Sequence, residues 1–537
     1  MGNIKVAGIF SNHMVLQREK EIKVWGIYEE PLRRDNCPIV TVRLNMNQIE
    51  VVTADSSKEE NLEGKDSWSV SLPPMKAGGP YELVVECEGQ KVSFEDVVIG
   101  EVWLAGGQSN MELALVNSKD GSKIVKELRN QQIRFYQTPR NSYMDEAFYQ
   151  DEEESGWEVA SSDAVESWSA VGTYFAVKLQ EELGVPVGII GCNWGGTSAS
   201  AWVSAEKLQQ DADLNSYVEE YELAMEGKTF EEYEKELEEY NAWYEVWKKK
   251  VDELYADNPK ILWTEVQRIA GECRWPEPLG PKSPFRAGGL YETMLLRVCP
   301  YSLRGFLYYQ GESDDHKPDL YAKLLTELIR EWRESWQEEE LPFLFVQLPM
   351  FINKQEADHG NWAVIRKQQE TVANTVSNTA MAVILDRGEF DNIHPTEKKP
   401  VGERLAKLAL AKVYGRQIAA EGPKLAGYQV VEGRVRIQFA NVEEGLLYRE
   451  DREFAKSRFE YIPMEPSTTV MSMTGFEIAG IDRKYVPAEL VVDKAEITVF
   501  SNHVKEPHFI QYGWHNYSPV TIFNSEGFPL APLQLHI

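Results

Sequence analysis

The apolar residues of this chain change their period twice. Up to about residue 96 they alternate with polar ones in short runs, at 21–25, 38–44, 67–72 and 81–86, with turns such as Lys76-Ala-Gly-Gly-Pro80 between them. Period-two runs at this spacing predict antiparallel strands forming a sandwich or jelly roll. From Val97 the apolar runs become continuous, at 97–105, 133–136, 185–190, 303–309, 343–348 and 380–385. Such runs read as buried strands. Helical segments at 172–183, 320–336 and 362–373 alternate with them, which predicts an α/β unit on a mainly parallel sheet. The acidic stretch 145–154 reads as a loop. After about residue 419 short strands return, at 428–432, 434–439 and 495–500, and predict a second β-sandwich-like unit. The expected organisation is therefore 1–96, 97–418 and 419–537.

One segment interrupts the α/β order. Thr229-Phe-Glu-Glu232 is a capping-box signature. In the helix it opens, Tyr233, Leu237, Tyr240, Tyr244, Trp247, Val251 and Leu254 fall at alternating steps of four and three, an amphipathic seam. With the helical stretch 214–225 and the break at Gly227, this reads as a helical-hairpin insertion over about 209–277. Its aromatic stripe could offer sugars a stacking platform; such stripes more often pack against the body of the protein, and that is the expectation.

Composition narrows the function. At 537 residues, 43% hydrophobic and 11% aromatic, the chain has ample material for several cores. A formal net charge of −30 argues against nucleic acid or an anionic membrane surface as partner and favours neutral substrates. The cysteines (37, 87, 192, 273 and 299) never stand in CxxC spacing. They predict neither a zinc site nor a disulfide framework, and fit a reducing compartment. The N-terminal residues lack a signal-peptide pattern, so a cytoplasmic location is expected; a secreted chain trimmed of its signal would read the same.

The chemistry gathers where predicted strands end. The run 97–105 stops at Gly106-Gly107, and the chain turns through Gln108, Ser109 and Asn110 into an apolar-periodic segment. A serine at such a strand-to-helix turn is held at the sheet's carboxyl edge beside the unpaired N–H groups of a helix start. It needs a base, and the base needs an orienting acid. Asp391-Asn-Ile-His394 follows the strand 380–385, whereas the rival Glu356-x-x-His359 has no comparable strand before it. Gly195 and Gly196 follow the strand 185–190 and can offer an unobstructed N–H. Gln310, at the end of 303–309, adds a side-chain amide. Four polar loops at strand ends converge on one crevice, which favours a serine hydrolase.

GEVWLAGGQSNM, WGGTSASAW, YYQGESD and DNIHP resemble the blocks of the sialate O-acetylesterase-like branch of the SGNH (GDSL-like) hydrolases, a group that includes carbohydrate acetylesterases. Residues 13–18 and 516–532 also look like that family's ends. The resemblance implies a three-layer α/β/α SGNH domain flanked by β-rich units, and no metal or organic cofactor. It implies Ser109 as nucleophile, His394 as general base and Asp391 as orienting acid, with the N–H groups of Ser109 and Gly196 as oxyanion hole and Gln310 as its side-chain member. Substrate contacts are expected from Gln108, Asn110, Trp194, Glu312 and Arg286, the last as partner for a sialate carboxylate. Two residues depart from the family pattern: Asp314 where relatives often carry Asn, and Asn193 where Ser is commoner. The expected reaction is removal of acetyl from O-acetylated sialic acid or from xylan- or mannan-type oligosaccharides. The alternative is a binding protein with a silent hydrolase domain.

Overall fold

The computed structural model describes residues 4–29, 38–56, 67–161, 163–258, 261–354, 356–458, 460 and 472–537. Its central element is a strand of 18 residues, Gln90–Gly107 (β1). The first half of β1 pairs antiparallel with Gly78–Cys87, within a β-rich region that also holds a three-stranded sheet of Ile4–Val6, Ile22–Tyr28 and Ser67–Leu72. Its second half lies between two parallel neighbours. One strand therefore crosses the 96/97 boundary expected from sequence, and one apolar core runs from Ile4 to Ala420.

The other strands of the central sheet are Asn130–Gln137 (β2), Trp157–Ala160 (β3), Val187–Asn193 (β4), Gly305–Tyr309 (β5), Phe343–Val346 (β6) and Thr379–Ala382 (β7). They lie in the order β3-β2-β4-β1-β5-β6-β7. All neighbours are parallel except the edge pair β3 and β2. Trp103 meets Phe175 of the helix Ala170–Leu183 edge-on at 5.3 Å. Gly106, three residues on and so on the opposite face, lies under Trp332 of the helix Tyr321–Trp336, where a Cβ would come within 2.6 Å of the indole. Helices thus cover both faces, giving three layers. Gly106 lacks a side chain because the indole fills its place.

Two expectations need correction. The acidic stretch is not a loop: Glu146–Glu154 is helical, because the Asp145 carboxylate caps the Phe148 N–H at 3.2 Å and Phe148 is buried under the Arg297 guanidinium. The insertion contains a third helix, Trp263–Ala270, besides Asn215–Met225 and the capping-box helix Phe230–Asp257. Much of the aromatic stripe packs within the insertion rather than on the body, with Trp247 and Val251 forming a small core with Val266 and Ala270.

After residue 420 two four-stranded sheets enclose a separate core that includes Val435, Ile437, Ile478 and Ile510. This region docks on the α/β unit through Arg366, which is fully buried and donates to the carbonyls of Gly513 and His515. Cys192, Cys273 and Cys299 are free thiols; Cys37 lies outside the described residues. Among the described residues no helix is long and apolar enough to cross a membrane.

The β-rich region is tied to the sheet by a buried charge. Glu101, whose side chain is inaccessible, accepts from Arg18 Nε at 2.5 Å, Arg304 Nε at 2.9 Å and Gln17 Nε2 at 3.1 Å. Burial pushes its carboxyl up, but the bonds and charges of Arg304 and Arg18 outweigh burial and hold it below the ordinary value. A depressed carboxyl contributes stability above its unfolded pKa and loses that contribution as pH falls through the folded one. Glu101→Ala strands two arginines and should lower stability by about 3–5 kcal/mol, with a flatter decline below pH 4.5 than wild type. Thermal unfolding across pH 3–7 measures both.

Candidate active site

Three strands stop at one level. In the parallel register Gly107 stands opposite both Asn193 and Tyr309, so the loops after β4, β1 and β5 leave the sheet side by side. Gly107 has φ +130°, and a Cβ there would lie 2.2 Å from the Tyr309 carbonyl oxygen; no larger residue fits. The Gln108 N–H donates to Tyr309 O and the Trp194 N–H to Gly107 O, each at 3.1 Å. The chain then enters a single helical turn, Ser109–Glu112.

Ser109 Oγ lies 2.8 Å from His394 Nε2. The two residues are 285 positions apart, brought together by the loop that follows β7. They share a cleft of about 770 Å³ with Glu112, Arg140, Trp168 and Gly195. One face of the imidazole meets solvent, yet the packing around it and, secondly, the Lys398 charge draw its pKa below 6.5. The ring is therefore neutral at pH 7 and can accept a proton from the hydroxyl. Neither the Ser109 N–H nor the Gly196 N–H donates to an acceptor among the described residues.

The third member of the expected triad is placed differently. Asp391 has φ +60°. Its N–H donates to Ile352 O at 3.0 Å, and its carboxylate accepts the Lys354 N–H at 2.8 Å. No hydrogen bond or ion pair joins it to His394 among the described residues. The left-handed turn directs Asp391 toward the 352–354 loop, so it pins that loop to the histidine segment. The His394 N–H is held by Asn392 Oδ1 at 3.1 Å.

Several residues expected at the substrate are turned inward, because buried polar groups in adjoining loops must satisfy one another. Gln310 spends its amide on Asp314 and on Thr197 O, and its carbonyl on the Tyr321 hydroxyl; it has no donor left for an oxyanion. Gln108 Oε1 accepts the N–H groups of Gly311 and Ser313. Asn110 donates to Glu312 at 2.5 Å and to Ile393 O at 3.0 Å, and accepts from Lys398 Nζ at 2.5 Å. Trp194 packs partly buried against the main core. Arg286 is paired with Glu292 at 2.8 Å, largely buried, and does not line the cleft. The cleft contains Arg140 instead.

Three residues here escaped sequence reading. Glu112, one turn beyond the serine, accepts the Gly195 N–H at 2.5 Å and pairs with Arg140 at 2.9 Å. It joins the Ser109 turn to the glycine loop, and its i+3 spacing from Ser109 was the available signal. Arg140 follows the end of β2, a fifth strand end that could have been read like the four others. Lys398 is 1% exposed; burial pushes it down to about 7, while the nearby Glu312 carboxyl is pushed up by its own burial. Nothing in the sequence marks that lysine. Asp314, the departure from the family pattern, is fully buried and accepts from Ser198 Oγ at 2.6 Å, the Ala199 N–H at 2.9 Å and the Tyr217 hydroxyl at 3.3 Å. The acid thereby secures the loop beyond Gly196 to the insertion. Among the described residues no group of His, Cys, Asp and Glu could hold a metal ion.

Residues 279–411 match the family model described as carbohydrate esterase, sialic acid-specific acetylesterase. The chain is 27% identical to the sialate O-acetylesterase of Mus musculus over 457 residues, covering 78% of this chain and 75% of that one. It is 27% identical to the human sialate O-acetylesterase over 453 residues, covering 78% and 73%. A crystal structure of a carbohydrate acetylesterase from Xanthomonas citri superposes over 99% of both chains with TM-score 0.71 and 24% identity, and so shares the fold. The family resemblance read from the sequence blocks is borne out.

A base whose pKa is lowered stays neutral to lower pH, and activity falls only as pH drops through that value. With p-nitrophenyl acetate, the acid limb of kcat/KM is expected to have its midpoint below 6.5. Lys398→Met removes a cation near the ring and should move that limb upward. A wild-type midpoint above 6.5, or no movement in the variant, would count against this electrostatic reading.

Proposed function

From this kinship with carbohydrate esterases we propose that the chain is an O-acetylesterase that removes acetyl groups from sugar hydroxyls, with Ser109 as nucleophile and His394 as its base. The observation that carries the reading is the 2.8 Å contact between the hydroxyl and the His394 imidazole on the wall of a cleft.

Ser109 Oγ attacks the acetyl carbonyl carbon as His394 Nε2 takes the hydroxyl proton. The carbonyl electron pair moves to oxygen, and the N–H groups of Ser109 and Gly196 receive the oxyanion; these are the donors left unpaired by the protein. When the tetrahedral species collapses, the bond to the sugar oxygen breaks and His394 returns the proton to it. Water then attacks the acetyl-serine with His394 again as base, and acetate leaves as Ser109 recovers its proton. The reaction calls on no cofactor. Glu112 serves as a positioning residue, fixing the Gly195 peptide relative to the serine turn.

The charges in the cleft support a neutral acetylated sugar. Arg140 is already paired with Glu112, and Glu158, also at the cleft, is a further acid that accepts from Trp168 Nε1 at 2.7 Å. A sugar acid would have to draw Arg140 away from its partner.

Ser109→Ala is expected to abolish acetate release from p-nitrophenyl acetate, and wild type, unlike the variant, should be labelled by a fluorophosphonate. Retained hydrolysis in Ser109→Ala would reject the nucleophile; an unlabelled wild type would favour a binding protein. In a direct comparison, acetylated xylo- and manno-oligosaccharides should exceed O-acetylated sialic acid in kcat/KM by tenfold or more. The reverse order, lost in Arg140→Ala, would instead make Arg140 the partner of a substrate carboxylate.

A further inference from the structure

The insertion reaches the site through one aromatic side chain. Gly195 and Ser109 are in contact: a Cβ on Gly195 would lie 3.3 Å from Ser109 Cβ. The next residue, Gly196, has φ +76°, and a Cβ there would lie 2.7 Å from Trp275 Cζ2. The Trp275 indole therefore packs on Gly196, the neighbour of the cleft-lining Gly195 that touches Ser109. It keeps 52% of its surface exposed, while Tyr233 and Trp247 in the same insertion are buried.

The ring is also held in place. Phe285 meets it edge-on at 4.9 Å. The preceding residue, Arg274, lies over the Trp243 ring at 4.8 Å, anchoring this stretch to the long insertion helix. An exposed indole fixed from two sides loses little conformational freedom when a ligand covers it. Pyranose rings present a C–H face that stacks on such a surface, burying apolar area while their hydroxyls stay in water. The glutamate-rich helix behind it and the chain's net charge of −30 disfavour a polyanion.

We infer that Trp275 forms a stacking subsite for a neutral pyranose linked to the acetylated sugar, so that acetylated oligosaccharides, not single sugars, are the favoured substrates. This rests on the esterase reading and deepens it. The insertion thereby sets substrate length, and its attachment to the glycine loop through Tyr217 and Asp314 fixes the subsite's distance from Ser109.

Two measurements test it. The first is the ratio of kcat/KM for acetylated xylotetraose or mannotetraose to that for p-nitrophenyl acetate. Trp275→Ala should lower this ratio at least tenfold and Trp275→Phe less than threefold. An unchanged ratio overturns the subsite, as does an equal fall on both substrates, which would make Trp275 a support for the Gly196 loop. The second is calorimetric binding of the same unhydrolysed tetrasaccharides to Ser109→Ala, with and without Trp275→Ala. A tenfold rise in Kd in the double variant supports the subsite, and equal affinities reject it. Because this arm needs no turnover, it decides the subsite even if the esterase reading fails.

Discussion

The site depends on three parallel strands ending at a common level. Gly107, Asn193 and Tyr309 stand side by side, so the serine turn, the glycine loop and the Gln310 segment start from one fixed line. The close approach of Gly107 to the Tyr309 carbonyl leaves that line almost no freedom. Beyond it, the loops are fixed by one another: Gln108 to Gly311 and Ser313, Asn110 to Glu312 and Lys398, Asp314 to Ser198 and Ala199. These bonds explain why so few polar residues remain free to face a substrate. A side chain that must not shift by a fraction of an ångström is best held by groups that cannot reach water.

Much of this was legible in the chain because it follows from local pattern. Continuous apolar runs located β1, β4 and β5, and the helix Ala170–Leu183 begins two residues before its expected start, at the Ser169 cap. The Thr229 capping box is formed as read. Ser109 and His394 were identified because each sits in a polar loop after a buried run, and the fold brings such loops to one edge. What failed was the inference from type to direction. An amide at a strand end can face substrate or interior, and Gln310 and Asn110 face the interior because neighbouring buried groups needed partners. Asp391, in a left-handed turn, has its carboxylate on the Lys354 N–H, a direction that residue type does not reveal. Arg286 is paired with the Glu292 carboxylate.

The misread helix Glu146–Glu154 carries the same lesson. Its composition is that of a solvated loop, but one capping carboxylate and one buried phenylalanine settle its conformation. Lys398 lies beyond any sequence signal. It acts on His394, four positions earlier, through its charge, but its burial against Asn110 and near Glu312, both far away in the chain, is what no local pattern shows.

The uninterrupted course of β1 has an evolutionary and practical consequence. Because residues 90–107 complete a sheet edge in the β-rich region and also carry the serine turn, the first ninety-odd residues are not an appendage that could be exchanged, trimmed or swung aside. No hinge separates them from the chemistry. A cut between 96 and 97 would leave a hydrolase with an unpaired central strand end. Selection on the stability of the β-rich region is therefore also selection on the rigidity of the Ser109 turn.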